Sequence, residues 1–271
     1  MTAGAPPSDH ARRAYEVMAG SYDAFTADHR YPEFTAMLER LALDAGLRGR
    51  RLLDVACGTG KSYEPFLARG YTVTACDISP RMLEHARVRR PGARLAEADM
   101  RALPVLGSFD LVCLLDDAVN YLDSAAELTD TLRGVARNLA PDGVVLFDAN
   151  TLVAYRSFFA EPRLVRDGDR LLVWDGRADP AFAPGDACTA ELHVFAPSGS
   201  PSRWSHGLSV HRQRHHPRQV VERALHDAGF GWSRCSGIHV GGTHDDVLDE
   251  EHHTKAVHVA RLTAPPQGEG R

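Results

Sequence analysis

The sequence predicts an α/β fold built on a doubly wound, mostly parallel sheet. Three observations carry that expectation. Between residues 51 and 150 short apolar runs alternate with amphipathic stretches at helical spacing. One run, Phe109 to Leu115, is nearly all apolar, as a strand covered on both faces requires. A turn flanked by glycines, Gly58-Thr59-Gly60, links the first run to the stretch that follows it. A strand, a glycine turn and a helix together bare backbone N–H groups where a ligand can approach closely.

In order, Met1 to Pro7 is rich in Ala, Gly and Pro and predicts disorder. Residues 8–20 predict a helix capped by Ser8 or Asp9, with Ala11, Tyr15 and Met18 on one face, broken at Gly20-Ser21-Tyr22-Asp23. Tyr31 to Gly46 predicts a second helix, started by Pro32 and stopped by Gly46. Leu52 to Ala56 reads as a buried strand and Lys61 to Arg69 as a helix. A strand from Tyr71 ends at Asp77, where a carboxylate can accept both hydroxyls of a ribose. Ser79 caps a helix over Pro80 to Arg89, and Leu95 to Ala98 is a short strand ending at Asp99. Asp116, Asp117, Asn120 and Tyr121 follow the apolar strand, at the end where open sheets bind ligands. A helix over Ala125 to Leu139 and a strand over Val144 to Phe147 complete the alternation, with right-handed crossovers. Beyond 151, Leu171 to Trp174, Ala190 to Phe195 and Arg203 to Arg214 read as strands between Pro- and Gly-rich turns. A helix over 217–228 precedes two closing antiparallel strands, Gly231 to Ile238 and Thr254 to Leu262, and a tail from Thr263.

Composition narrows the function classes. Net charge is −5 with acids and bases interspersed, so no basic stripe fits a phosphate backbone and nucleic acid is not an expected partner. No apolar run reaches the length of a membrane span, and no signal pattern opens the chain. Cysteines 57, 76, 113, 188 and 235 are scattered, which predicts a reduced, cytoplasmic chain without disulfides. Only Lys61 and Lys255 are lysines.

A dinucleotide fingerprint needs a third glycine at position 63, which holds Tyr63. Instead Leu53-Asp54-Val55-Ala56-Cys57-Gly58-Thr59-Gly60 resembles the first motif of class I S-adenosylmethionine-dependent methyltransferases. Asp77-Ile78-Ser79, Ala98-Asp99-Met100 and Leu139-Ala140-Pro141-Asp142-Gly143 resemble the later motifs, in the same order. The resemblance covers residues 50–150 well and the flanks loosely, and it is closest to small-molecule N-methyltransferases of the glycine and amino-sugar type. It implies one Rossmann-like domain over 1–271 with a seven-stranded sheet. A helical lid would cover 8–46, the cofactor-binding core 50–150, an antiparallel insert 151–215, and the end of the sheet 216–263. It implies S-adenosylmethionine as cofactor and a small-molecule acceptor for a monomer or homodimer. Asp54, Gly58 and Gly60 would position the methionine moiety, Asp77 the ribose, and Asp99 with Met100 the adenine. Ala56, Cys57, Ile78 and Asp116 would line the same cofactor, and Tyr22 would lie over the sulfonium.

Tyr22, Asp117 and His211 are the nominated catalytic bases. Adjacent carboxylates at Asp116-Asp117 suit an ammonium ion or the proton of a hydroxyl. Of the fourteen histidines, none shows the paired spacing of a zinc site, so no metal is expected. Trp174 and Trp204 fall in the insert, either as its core or as an aromatic wall for a cationic acceptor. The expected reaction is in-line methyl transfer to a small molecule, an amine ahead of a hydroxyl. O- or C-methylation of a natural-product scaffold stays open, as does cofactor binding without transfer. A nucleic-acid methyltransferase would carry an Asn/Asp-Pro-Pro-aromatic motif where Asp116-Asp117-Ala118-Val119 stands.

Overall fold

The computed structural model describes residues 8–199 and 202–263. The expected lead-in over 1–7 and the tail beyond Thr263 lie outside the described residues, as do the side chains of Ser8 and Asp9. Helices α1 (Ser8–Met18), α2 (Tyr22–Phe25) and α3 (Tyr31–Asp44) precede the first strand. The break expected at Gly20 is real, but the chain turns straight into the short α2.

The core alternates as expected: β1 (Arg51–Val55), α4 (Glu64–Ala68), β2 (Thr72–Asp77), α5 (Pro80–Arg89), β3 (Arg94–Glu97), β4 (Phe109–Leu114), α6 (Ala125–Asn138) and β5 (Leu139–Asn150). Strands β1 to β5 run parallel, with Leu53 opposite Thr74 on one side and Val112 on the other. Alternate residues face opposite layers. Leu53, Val55, Val112, Leu114, Val145 and Phe147 share a cluster with α6, and Leu52, Leu111, Cys113, Val144 and Leu146 one with α3. This two-sided burial explains why these strands read as continuous apolar runs. Strand β5 starts earlier than expected, and the irregular pairing between Phe109 and Leu111 absorbs Pro141-Asp142-Gly143.

Short α7 (Leu152–Arg156) leads into a second, antiparallel sheet of β6 (Arg163–Asp167), β7 (Arg170–Gly176), β8 (Ala187–Pro197) and β9 (Trp204–Arg214). Strand β6 was not legible, because its Arg-Leu-Val-Arg-Asp is charged and at most half-buried throughout. Helix α8 (Arg218–Asp227), β10 (Phe230–Ile238), β11 (His244–Asp245) and β12 (Lys255–Leu262) complete the chain. The main sheet runs β11-β10-β12-β5-β4-β1-β2-β3. It therefore has eight strands rather than seven, the extra one being the two-residue edge β11. Among the described strands β12 and the short β11 oppose the parallel ones; β10 is antiparallel to both and so parallel to β5.

Strand order reverses between β1 and β4, which places the loops after both strands at one crevice. The second sheet packs against the N-terminal helices, Met18 and Phe25 meeting Leu172, Trp174 and Leu192. Among the described residues no helix is long and apolar enough to cross a membrane.

Candidate active site

The turn after β1 is built from left-handed backbone. Ala56, Gly58 and Gly60 have φ of 60°, 53° and 86°, a region costly for a residue with a Cβ. At Gly60 a Cβ would sit 2.4 Å from the ring of Tyr63. Tyr63, which displaces the fingerprint glycine, is fully buried and donates its hydroxyl to Arg90 O at 3.0 Å. Glycine at 60 is what makes room for it.

Asp77, at the tip of β2, accepts the Gly58 N–H at Oδ2 and the Ser79 N–H at Oδ1, both at 2.8 Å. Burial pushes its carboxyl up to about 6, against the pull of those N–H groups. Asp54 on β1 is 1 % exposed; its Oδ2 accepts the Ser62 hydroxyl at 2.5 Å, and its Oδ1 has no hydrogen-bond partner. Burial pushes Asp54 up to about 7. Asp99 is clasped by Arg101, with Nε on Oδ1 at 2.9 Å and Nη2 on Oδ2 at 2.5 Å. Burial raises its pKa, but the bonds from Arg101 outweigh that and hold it low.

Asp77 and Asp99 line a cleft that is partly open to solvent. Gly58, Asp77, Ile78, Asp99 and Met100 line one end, and Leu115, Asp116 and Tyr121 the other. Ala11, Tyr15 and Tyr22 of the N-terminal helices form the roof. Of the cofactor residues expected from sequence, Tyr22, Ala56, Gly58, Asp77, Ile78, Asp99, Met100 and Asp116 line the cleft, while Asp54, Cys57 and Gly60 do not.

The cleft around Asp116 is dominated by charge. Asp116 Oδ2 accepts the hydroxyls of Tyr31 at 2.7 Å and Tyr22 at 3.2 Å, and His29 Nδ1 lies 3.3 Å away. Lys255 Nζ sits 2.6 Å from Asp148 Oδ2, 3.2 Å from Asp117 Oδ1 and 3.6 Å from Asp116 Oδ1. Burial pushes the adjacent carboxyls up. At Asp116 the charges of His29 and Lys255 more than reverse this, so it stays well below the usual carboxylate range. At Asp117 burial, with Asp116 and Asp148 adding to it, prevails over Lys255, and the pKa is raised. Asp116 therefore stays ionised, and Asp117 is the better proton holder.

Of the nominated bases only Tyr22 lines the cleft. Asp117 stands behind it, bonded to Gln213 Nε2 at 2.5 Å and to Lys255. His211 is buried, and its Nε2 lies 2.7 Å from a Ser209 hydroxyl that already donates to Ala14 O. Nε2 therefore carries the ring proton, and Nδ1 accepts the Tyr121 hydroxyl at 2.9 Å. Burial lowers the His211 pKa to about 4. Trp174 is core of the second sheet against Phe25 and Phe158, and Trp204 is half-exposed away from the cleft, so the two form no shared wall.

Sequence reading missed His29, Tyr31, Lys255 and Asp148 as a group. The available signals were faint: Lys255 is one of two lysines, and Asp148 ends a parallel strand.

Two side-chain triplets have metal-like spacing, His239–Asp245–His253 and Asp175–Glu191–His193. In the first, His253 Nδ1 accepts the Asp249 N–H at 2.8 Å, so Nε2 bears a proton toward Asp245 where a metal would bind. In the second, Arg177 Nη2 already bridges Asp175 and Glu191 at 3.0 and 2.9 Å.

The residues fit S-adenosylmethionine. Asp77 at the tip of β2 suits vicinal hydroxyls, and the turn leaves bare backbone beneath Tyr22. Residues 52–143 match a family model described as a methyltransferase domain. The demethylmenaquinone methyltransferase of Renibacterium salmoninarum is 35% identical over 190 residues, 69% of this chain and 74% of that protein. The dTDP-3-amino-3,6-dideoxy-alpha-D-glucopyranose N,N-dimethyltransferase of Streptomyces fradiae is 31% identical over 188 residues, 66% of this chain and 69% of that protein. The crystal structure of Streptomyces venezuelae DesVI superimposes with a TM-score of 0.69 at 26% identity, covering 90% of this chain and 98% of that one. Motif order, sheet topology and these likenesses agree: the chain belongs to the class I S-adenosylmethionine-dependent methyltransferases and is an enzyme.

Proposed function

We propose that the enzyme methylates the nitrogen of a small amine. One observation carries this reading: Asp116, held ionised, lines the cleft together with Tyr15, Tyr22 and Tyr121, and its Oδ2 accepts the Tyr22 hydroxyl. An ionised carboxylate among aromatic faces favours an ammonium group over a neutral hydroxyl and repels an anionic acceptor. The similarity to an amino-sugar N,N-dimethyltransferase supports it. The similarity to a demethylmenaquinone methyltransferase points elsewhere, and the acidic corner weighs against that acceptor.

When bound, the cofactor supplies an electrophilic methyl group. The chain's own residues bind the ammonium, let a proton leave it and aim the freed lone pair. Tyr22 and Tyr31 fix the Asp116 carboxylate from the roof. His29 gives the proton a route to solvent, since its side chain is 40 % exposed and touches Asp116. Burial lowers the His29 pKa, and the Asp116 charge more than restores it, leaving it raised. Most of the rate would come from orientation and exclusion of water.

The test is an acceptor panel pairing amines, amino sugars among them, with their hydroxyl analogues, followed by formation of the demethylated cofactor. Amines should be turned over at least about tenfold better in kcat/KM, and Asp116→Asn should raise the amine KM about tenfold by removing one charge-assisted partner. Equal or better turnover of the hydroxyl series would overturn the reading.

A further inference from the structure

Asp116 and Asp117 are both left-handed, with φ of 61° and 57°. Two such residues in succession, neither of them glycine, persist only where the surroundings over-determine them. Here the cause is one carboxylate. The Asp116 N–H donates to Asp148 Oδ1 at 2.7 Å and the Asp117 N–H to Asp148 Oδ2 at 3.0 Å. Converging N–H groups of this kind form an anion-binding concavity, and Asp148, fully buried at the end of β5, fills it from within the fold. Lys255 comes from β12, whose first residue pairs with Asn150 of β5, and its Nζ closes on Asp148, Asp117 and Asp116 together. Neither Asp148 nor Lys255 lines the cleft.

We propose that Asp148 and Lys255 are positioning residues for acceptor recognition: they lock the Asp116–Asp117 backbone so that the Asp116 carboxylate faces the acceptor. This rests on Asp116 being the acceptor's partner, the reading given above. The pair does more than bury a charge, because the same carboxylate that binds Lys255 also dictates the direction of the two residues entering the cleft.

The experiment compares Asp148→Asn, Lys255→Met and Lys255→Arg, each also in an Asp116→Asn background. The asparagine can accept one of the two N–H groups, but its own NH2 confronts the other. Asp148→Asn and Lys255→Met should raise the acceptor KM about tenfold while the cofactor KM stays within about twofold, and Lys255→Arg should recover most of the loss. In the Asp116→Asn background the same substitutions should add less than about twofold, because their effect runs through Asp116. Thermal melts run alongside; should Asp148→Asn not fold, the Lys255 pair is decided on the same ratios. Additive effects in the Asp116→Asn background, or a rise shared equally by cofactor and acceptor KM, would overturn the proposal. That result is separable from failure of the amine reading, which the wild-type acceptor panel decides by itself.

Discussion

Asp54 shows most directly how a buried carboxylate acts against stability. It is buried with one oxygen unsatisfied, and its folded pKa of about 7 lies far above that of an exposed carboxylate. The folded chain therefore binds the proton more tightly than the unfolded chain. For this group stability rises as pH falls from about 7 toward the ordinary carboxylate range, and the ionised group is a cost above pH 7. Asp54→Asn should raise the melting temperature of the ligand-free enzyme at about pH 8 by several degrees, with little change at about pH 5. Melts at both pH values with calorimetry check this; a destabilised Asn variant at the higher pH would refute it. Asp77 follows the same sign with its pKa of about 6, though two backbone N–H bonds already repay part of its burial.

At the scale of elements, the N-terminal helices are latched to the cofactor-binding turn. Glu16 of α1 accepts the Ser79 hydroxyl at 2.7 Å, and Arg81 Nη1 donates to Glu16 O at 2.9 Å, so α1 sits on the start of α5. Asp23 of α2 accepts the Thr59 hydroxyl at 2.5 Å and pairs with Arg89 and Arg90 at 3.0 Å each. Burial raises the Asp23 pKa, but the Thr59 and arginine contacts prevail and hold it low. Lys61 Nζ donates to Thr26 O at 2.7 Å, tying the same turn to the end of α2. These contacts span the roof of the cleft, so breaking one should speed ligand exit more than it harms the fold. Asp23→Ala should accelerate cofactor dissociation in stopped flow by about fivefold or more, with a melting temperature within a few degrees of wild type. An unchanged dissociation rate would mean that the roof does not gate the cleft. Tyr22 and Asp23, adjacent at the break after α1, divide the work, Tyr22 facing the cleft and Asp23 turning back to Thr59.

For the whole molecule, pH stability is set by groups in separate layers. Burial lowers His211 and His216 to about 4 and His258 to about 3. His258 stacks on Phe147 with ring centroids 4.9 Å apart, deep between β12 and β5. A histidine with a depressed folded pKa stays neutral in the fold but takes up a proton when unfolded. Stability is therefore lost as pH falls from about 6.5 toward 4, opposite in sign to Asp54 and Asp77. Below about pH 6.5 these three histidines draw stability down, while the raised carboxyls Asp54, Asp77 and Asp117 act in the opposite direction. His258→Leu should flatten that fall by about one proton in the slope of unfolding free energy against pH. Denaturant titrations across that range measure it, and an unchanged slope would sink the assignment.

The sequence by itself determined the parallel core, the glycine turn, Asp77 and Asp99, because each depends on local backbone geometry or on burial on both faces of a strand. It also exposed the family through ordered motifs. Strand β6 stayed hidden because a half-exposed, charged strand has no apolar signature. The side on which His211 would act was equally hidden, since its proton is fixed by Ser209 and Tyr121 on other elements. Only tertiary structure decided the cleft around Asp116. Asp148 and Lys255 meet across 107 residues, and Tyr31 reaches Asp116 across 85. Such contacts leave no periodicity in the chain, because they are set by which strands lie side by side and by the left-handed backbone that Asp148 stabilises.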